Sequence, residues 1–204
     1  MAQIKTHSIT CPNCGYVGNI AVSDYANIDS TTNNKEKIMK RSFFKYKCPE
    51  CKKEFQAEYP ILFDNSENNA LIYYLPQASI DKMEKIENMS VTNSFGKKMR
   101  IVTNQNELLE KLLIIADGYD DIIIEYLKNV IENSVAKEQR EKMKDLYYAG
   151  IKNDSLMFVA PLKDGTYNVN IPKSMYMAYY SKYNVKESYQ FKKIDRNNVE
   201  RYMF

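Results

Sequence analysis

The sequence predicts an α+β protein, and three observations carry the prediction. Four cysteines fall into two Cys-x-x-Cys pairs within the first quarter of the chain, each pair flanked by β-favouring runs. Residues 105–134 space their apolar side chains for two helices separated by Asp117-Gly118. Residues 146–150, 156–162 and 167–171 read as strands, the last two joined by an Asp-Gly turn. The expected arrangement is an N-terminal antiparallel β domain over residues 1–104. A helix hairpin and a mixed α+β C-terminal part follow over residues 105–204.

The β domain is built on its cysteines. Cys11-Pro12-Asn13-Cys14 and Cys48-Pro49-Glu50-Cys51 are separated by 33 residues. In a reducing compartment such pairs bind metal or do redox chemistry more often than they form disulfides. Two intervening residues let one tight turn aim both sulfurs at a single ion, and proline after the first cysteine stiffens that turn. Gly15 can take the positive φ that turns the chain back into a strand. Lys52, at the matching place, takes it only at a cost of about 1 kcal/mol or more. Residues 6–10 and 16–22 flank the first pair, and residues 43–47 and 54–59 the second, all with strand character. Strand, turn, strand, twice over, is the layout of a zinc ribbon, so the domain is expected to be zinc-ribbon-like. Cys11, Cys14, Cys48 and Cys51 would hold one structural Zn2+. Four thiolates close a tetrahedral sphere and leave no open position for substrate, which argues against chemistry at the ion. A redox reading of Cys-Pro-x-Cys needs a helix after the motif, whereas residues after Cys14 read as strand. His7 is the only histidine and is expected as an ordinary residue of the first strand.

The two Cys-Pro-x-Cys motifs and their strand context resemble the CpXC domain family of bacteria and archaea. So do Glu58-Tyr59-Pro60-Ile61-Leu62-Phe63-Asp64 and Ile72-Tyr73-Tyr74-Leu75-Pro76. Asn106-Glu107-Leu108-Leu109-Glu110-Lys111 and Gly118-Tyr119-Asp120-Asp121 extend the similarity to about residues 5–130. The resemblance implies the cysteine site and brings no catalytic residues with it. Lys52 departs from the glycine common after a zinc knuckle.

Between the cysteine pairs, residues 24–40 are polar and read as a surface loop, with a helical turn over 35–41. Residues 70–75 read as a strand stopped by Pro76, residues 77–89 as helical or irregular, and residues 99–103 as a strand. Asn104 or Asn106 can cap a helix through Ala116, burying Leu108, Leu109, Leu112, Leu113 and Ile115. Gly118 suits its αL stop. Asp120 can cap a second helix to about Ser134, burying Ile123, Ile124, Leu127, Val130 and Ile131. Asp117, Asp120 and Asp121 form an acidic cluster that capping and dipole effects explain without a ligand. Residues 135–145 continue as exposed helix. Strands follow at 146–150, 156–162 and 167–171, the last two joined at Asp164-Gly165. Pro172 opens a helix towards Tyr183. A last strand at 189–194 and a short terminal helix at 197–204 complete the reading.

Composition narrows the function. The 204 residues are 44% hydrophobic and 27% charged, with a net charge of +3, too small to indicate nucleic acid or membrane by itself. Residues 1–104 carry 14 basic and 11 acidic groups; residues 105–204 carry 15 of each. No apolar stretch approaches the roughly 20 residues of a membrane span, and no signal core opens the chain, so the cytoplasm is expected. Abundant Lys, Asn, Ile and Tyr suit a low-GC bacterial genome. With 6 glycines, no phosphate-binding Gly-rich loop occurs, and one histidine excludes most His-based catalytic sets. Interfaces favour tyrosine, and 17 are present. The expected role is therefore a zinc-stabilised interaction module whose partner is another protein. The alternative is nucleic-acid binding through Lys45, Lys47, Lys52 and Lys53 beside Phe43, Phe44 and Tyr46. An enzyme using a site outside the zinc, with Asp120 and Asp121, is the third reading.

Overall fold

The computed structural model describes residues 3–77, 80–88, 96–185 and 190–203. It is α+β. The chain divides into two compact units, Met1–Gln105 with Tyr189–Lys192, and Asn106–Ser188 with Lys193–Phe204.

In the first unit, β1 (Ile4–Thr10) and β2 (Val17–Ser23) form a two-stranded antiparallel sheet with Thr10 opposite Val17. Directly opposed residues share a face. His7, Ile9 and Ile20 therefore turn to one side, and Ile4, Thr6, Ser8 and Val17 to the other, where Ile4 and Val17 are exposed. β3 (Tyr25–Asn27) follows, and the polar loop carries the expected helical turn as α1 (Asn34–Met39). β4 (Lys45–Lys47) and β5 (Glu54–Gln56) make a second antiparallel pair, shorter than the flanking runs suggest. β6 (Ile61–Asn65), β7 (Ala70–Tyr74) and β8 (Lys98–Val102) join β3 in a four-stranded sheet of order β3-β6-β7-β8. This sheet is mixed rather than antiparallel: β3 runs parallel to β6, and β7 to β8. Parallel neighbours need a crossover of a dozen or more residues. Residues 28–60 supply one and residues 75–97 the other, which holds α2 (Ile80–Glu87). Of the stretch expected to be helical or irregular, residues 78, 79 and 89 lie outside the described residues.

An aromatic cluster joins the sheet to the cysteine turns. Phe44 stacks on Tyr74 at 5.0 Å and meets Tyr59 edge-on at 5.3 Å, while Phe43 meets Phe63 at 5.2 Å. Such pairs contribute about 0.5–1.5 kcal/mol each beyond their buried area. A second cluster holds Leu71, Leu75, Met99, Ile101 and Phe191.

The second unit opens with α3 (Gln105–Ala116). Gly118, at φ 73°, ends it in a Schellman arrangement: its N–H reaches Ile115 O at 3.1 Å, and the Tyr119 N–H reaches Ile114 O at 3.0 Å. Asp120 caps α4 (Asp121–Ser134) by accepting from the Ile122 and Ile123 N–H groups at 2.9 and 3.4 Å. An extended Val135 then breaks the helix, and only α5 (Lys137–Lys142) forms in the stretch expected to continue it. β9 (Tyr147–Lys152), β10 (Ser155–Leu162) and β11 (Gly165–Pro172) form an antiparallel meander. Asn153 and Asp154, at φ 48° and 55°, make the β9–β10 turn, which needs positive φ at both positions. Leu162 and Gly165 pair across the expected second turn. After Pro172 comes α6 (Lys173–Lys182), and a 3-10 turn at Val199–Tyr202 replaces the expected terminal helix; Phe204 lies outside the described residues.

The strand expected at 189–194 is corrected. Tyr189 lies outside the described residues, and residues 190–194 make one parallel bridge, Arg100 to Lys192. Phe191 packs with Leu71 and Met99 in the first unit, and Ile194 with Ile122 and Val199 in the second. Apolar positions three residues apart serve different cores, so no ladder runs through them. No helix among the described residues is long and apolar enough to cross a membrane.

Candidate metal centre

The two cysteine turns are built alike. In the first, Gly15 N–H bonds Cys11 O at 3.0 Å and Cys11 N–H bonds Tyr16 O at 2.8 Å. In the second, Lys52 N–H bonds Cys48 O at 3.0 Å and Cys48 N–H bonds Lys53 O at 2.9 Å. The matching residues also share a backbone: φ is 73° at Gly15 and 63° at Lys52. Sequence reasoning expected both the turn and the strained lysine. Lys53 Nζ bridges the turns by donating to Asn13 Oδ1 at 2.7 Å.

All four sulfurs lie within 4.8 Å of one another, and among the described residues this is the one group of His, Cys, Asp and Glu able to hold a metal ion. Cys11 Sγ is 3.7 Å from Cys51 Sγ, and Cys14 Sγ is 3.7 Å from Cys48 Sγ. A disulfide needs about 2.05 Å, so all four are free thiols. Cys11 and Cys48 are buried and Cys14 is exposed. The Lys53 N–H donates to Cys51 and, with the neighbouring thiols, lowers its pKa to about 6. The equivalent Tyr16 N–H favours the Cys14 thiolate, but desolvation and the other sulfurs outweigh it and push that thiol up to about 12. Four sulfurs this close resist ionising together, and a divalent cation among them reverses that repulsion. The donor set therefore fits a thiolate-bound metal ion.

Fold and site define an α+β protein with a four-cysteine cluster able to hold a metal ion. The model of the CpXC protein family matches residues 9–128, more than half of the chain. The chain belongs to the CpXC family. No curated protein and no solved structure matches it.

His7 lies on β1, stacked on Tyr59 at 5.4 Å, and takes no part in the sulfur group. The acidic cluster is divided among three tasks. Asp117 accepts from the Tyr148 hydroxyl at 2.7 Å, Asp120 caps α4, and buried Asp121 pairs with Lys111 at 3.1 Å. In the basic and aromatic stretch, Phe44 is core, Tyr46 packs edge-on against Phe55 at 5.6 Å, and Lys45 pairs with Glu54 at 3.3 Å. Lys47, Lys52 and Lys53 are exposed.

Sequence reasoning missed a buried ionic network in the second unit. Lys111 Nζ lies 2.8 Å from Glu125, and Lys128 Nζ lies 2.9 Å from Glu125 and 3.0 Å from Glu110. With Asp121, all five side chains are buried. Glu110 also accepts from the Tyr148 N–H at 2.7 Å. Burial and the Glu125 charge push the Glu110 carboxyl up to about 7, against the pull of Lys128 and Lys111. Burial works the same way on Glu125, but Lys111 and Lys128 overcome it and hold this carboxyl below its ordinary value. The signal available in sequence was the i, i+4, i+7 spacing of Asp121, Glu125 and Lys128 on one face of a helix.

Proposed function

We propose that Cys11, Cys14, Cys48 and Cys51 bind one zinc ion in a zinc-ribbon arrangement, and that the ion shapes the first unit into a module that binds another protein. The sulfur spacing carries the reading. A tetrahedron of sulfurs about 2.3 Å from zinc has edges of about 3.8 Å, and two of the spans are 3.7 Å. With four sulfur ligands the ion has no place for water or substrate, so what it supplies is folding energy. Thiolates kept free for metal suit the reducing cytoplasm. In the second unit, the ion pairs between Lys111 and Glu125 and between Lys128 and Glu110 suit a helix hairpin of α3 and α4.

Elemental analysis of freshly purified full-length protein should find one zinc per chain. Substoichiometric metal, or iron in its place, would end the zinc reading. Tagged protein retrieved from native lysate should bring down a partner that Cys48→Ser does not. A partner retained equally by Cys48→Ser would show that the metal-shaped unit is not what binds.

A further inference from the structure

The two small sheets leave strand edges unused. Among the described residues each has two strands, so β2 and β4 each have one edge without a neighbour. In an antiparallel ladder, opposed residues alternate between pairs that exchange hydrogen bonds and pairs that do not. The Cys11 N–H to Tyr16 O bond sets the phase for β1 and β2. Gly18, Ile20 and Val22 then aim their N–H and C=O groups at β1, whereas Asn19 and Ala21 aim theirs outward. In the other sheet, Ala57 N–H to Phe44 O and Cys48 N–H to Lys53 O set the phase. The Lys45 C=O and both Lys47 backbone groups then point outward.

These edges border one groove of about 410 Å³, lined by residues 19–22 of β2 and residues 43–46 entering β4, with Ala57 and Tyr59. Consecutive residues of a strand point alternately to its two faces, so a run of four lining one groove places the edge there. Natural edges are usually blunted by charge, proline or a bulge. β2, Val-Gly-Asn-Ile-Ala-Val-Ser, has no charge and no proline, and it pairs with β1 in unbroken register. The charges at the groove come from β4 and its neighbour: Lys45, paired with Glu54 at 3.3 Å, lines it, and exposed Lys47, opposite Glu54, follows, a net of one positive charge.

We propose that this groove takes an extended peptide of a partner protein, added as a strand to the free edge of β2 through the backbone groups of Asn19 and Ala21. The net positive charge of Lys45 and Lys47 beside Glu54 favours acidic flanks on that peptide. This rests on the interaction-module reading and names where and what the module binds.

The test uses metal-loaded full-length protein and a fluorescent, end-capped hexapeptide, Glu-Val-Thr-Val-Thr-Glu, followed by anisotropy. Ala21→Pro removes the outward N–H but no bond to β1. Thr6→Pro makes the same change on the outer edge of β1, away from the groove. Peptide binding should weaken at least tenfold in Ala21→Pro and stay within twofold in Thr6→Pro, with zinc content and melting alike in the two variants. Lys45→Glu with Lys47→Glu should weaken the acidic peptide and strengthen its lysine-ended counterpart. No saturable binding by the parent, or equal loss in both proline variants, would overturn the proposal. So would a concentration-dependent dimer that Ala21→Pro abolishes, because the occupant would then be a second copy of the chain. If the lysate partner is retained by Ala21→Pro, the groove assignment fails while the interaction module survives. If the parent captures no partner, the module reading itself fails.

Discussion

Lys52 holds a left-handed backbone that costs a non-glycine residue about 1–2 kcal/mol. Lys52→Gly should stabilise the metal-loaded first unit by about 0.5–1 kcal/mol, part of the gain going to the greater unfolded-state freedom of glycine. Thermal melting with metal held constant reads this, and an unchanged or lower midpoint would show that the turn is not strained. Asp120→Ala removes the cap of α4 and should cost about 1 kcal/mol of stability, read as a lowered urea midpoint at unchanged m. Both positions were legible in sequence. Lys52 stands where the first turn has Gly15, and Asp120 stands just before an apolar helical pattern. Asn153 and Asp154 were harder to read, because without a glycine their turn has only the tolerance of Asn and Asp for positive φ to announce it.

Within α3 and α4 the same spacing that disclosed the helices concealed their charges. Leu108, Leu112, Ile123 and Leu127 are buried as the 3.6-residue pattern requires. Glu110, Lys111, Glu125 and Lys128 stand outside that apolar set, yet they are buried, each lysine meeting a carboxylate from the other helix. Pairing across helices leaves no mark in the local pattern of either one. Lys128→Met leaves Glu110 and Glu125 short of an ammonium group and should cost the second unit about 3–5 kcal/mol. A loss below 1 kcal/mol in chemical denaturation would mean the network is solvated. Glu110 adds a pH dependence. Its carboxyl is raised to about 7 in the folded chain from an ordinary 4.5. The folded state therefore binds the proton more tightly, and stability falls as pH rises from about 4.5 through 7. Glu110→Gln should flatten the change in urea midpoint between pH 5 and pH 7.5, and an unaltered slope would place the titration elsewhere.

For the whole molecule, two units imply two unfolding events. If the proposed zinc occupies the four sulfurs, it contributes about 10–16 kcal/mol in apparent binding terms. Cys48→Ser or chelation should therefore melt the first unit and leave the helices of α3 and α4 in place by circular dichroism; a single unshifted transition would contradict this. The cysteine turns, the helices and the β-meander could be read from local pattern. The docking of Phe191 against Leu71 and Met99 could not, because one aromatic residue in a polar stretch carries no periodicity. That docking has a consequence for synthesis. The Lys192 carbonyl accepts from the Ile101 N–H at 2.9 Å, so a chain leaving the ribosome cannot finish its first unit until residue 192 is translated. At about 5–20 residues per second, Leu71, Leu75 and Met99 wait several seconds without their cover. A nascent chain stalled near residue 105 is thus the form in which this protein is most open to chaperones and to aggregation.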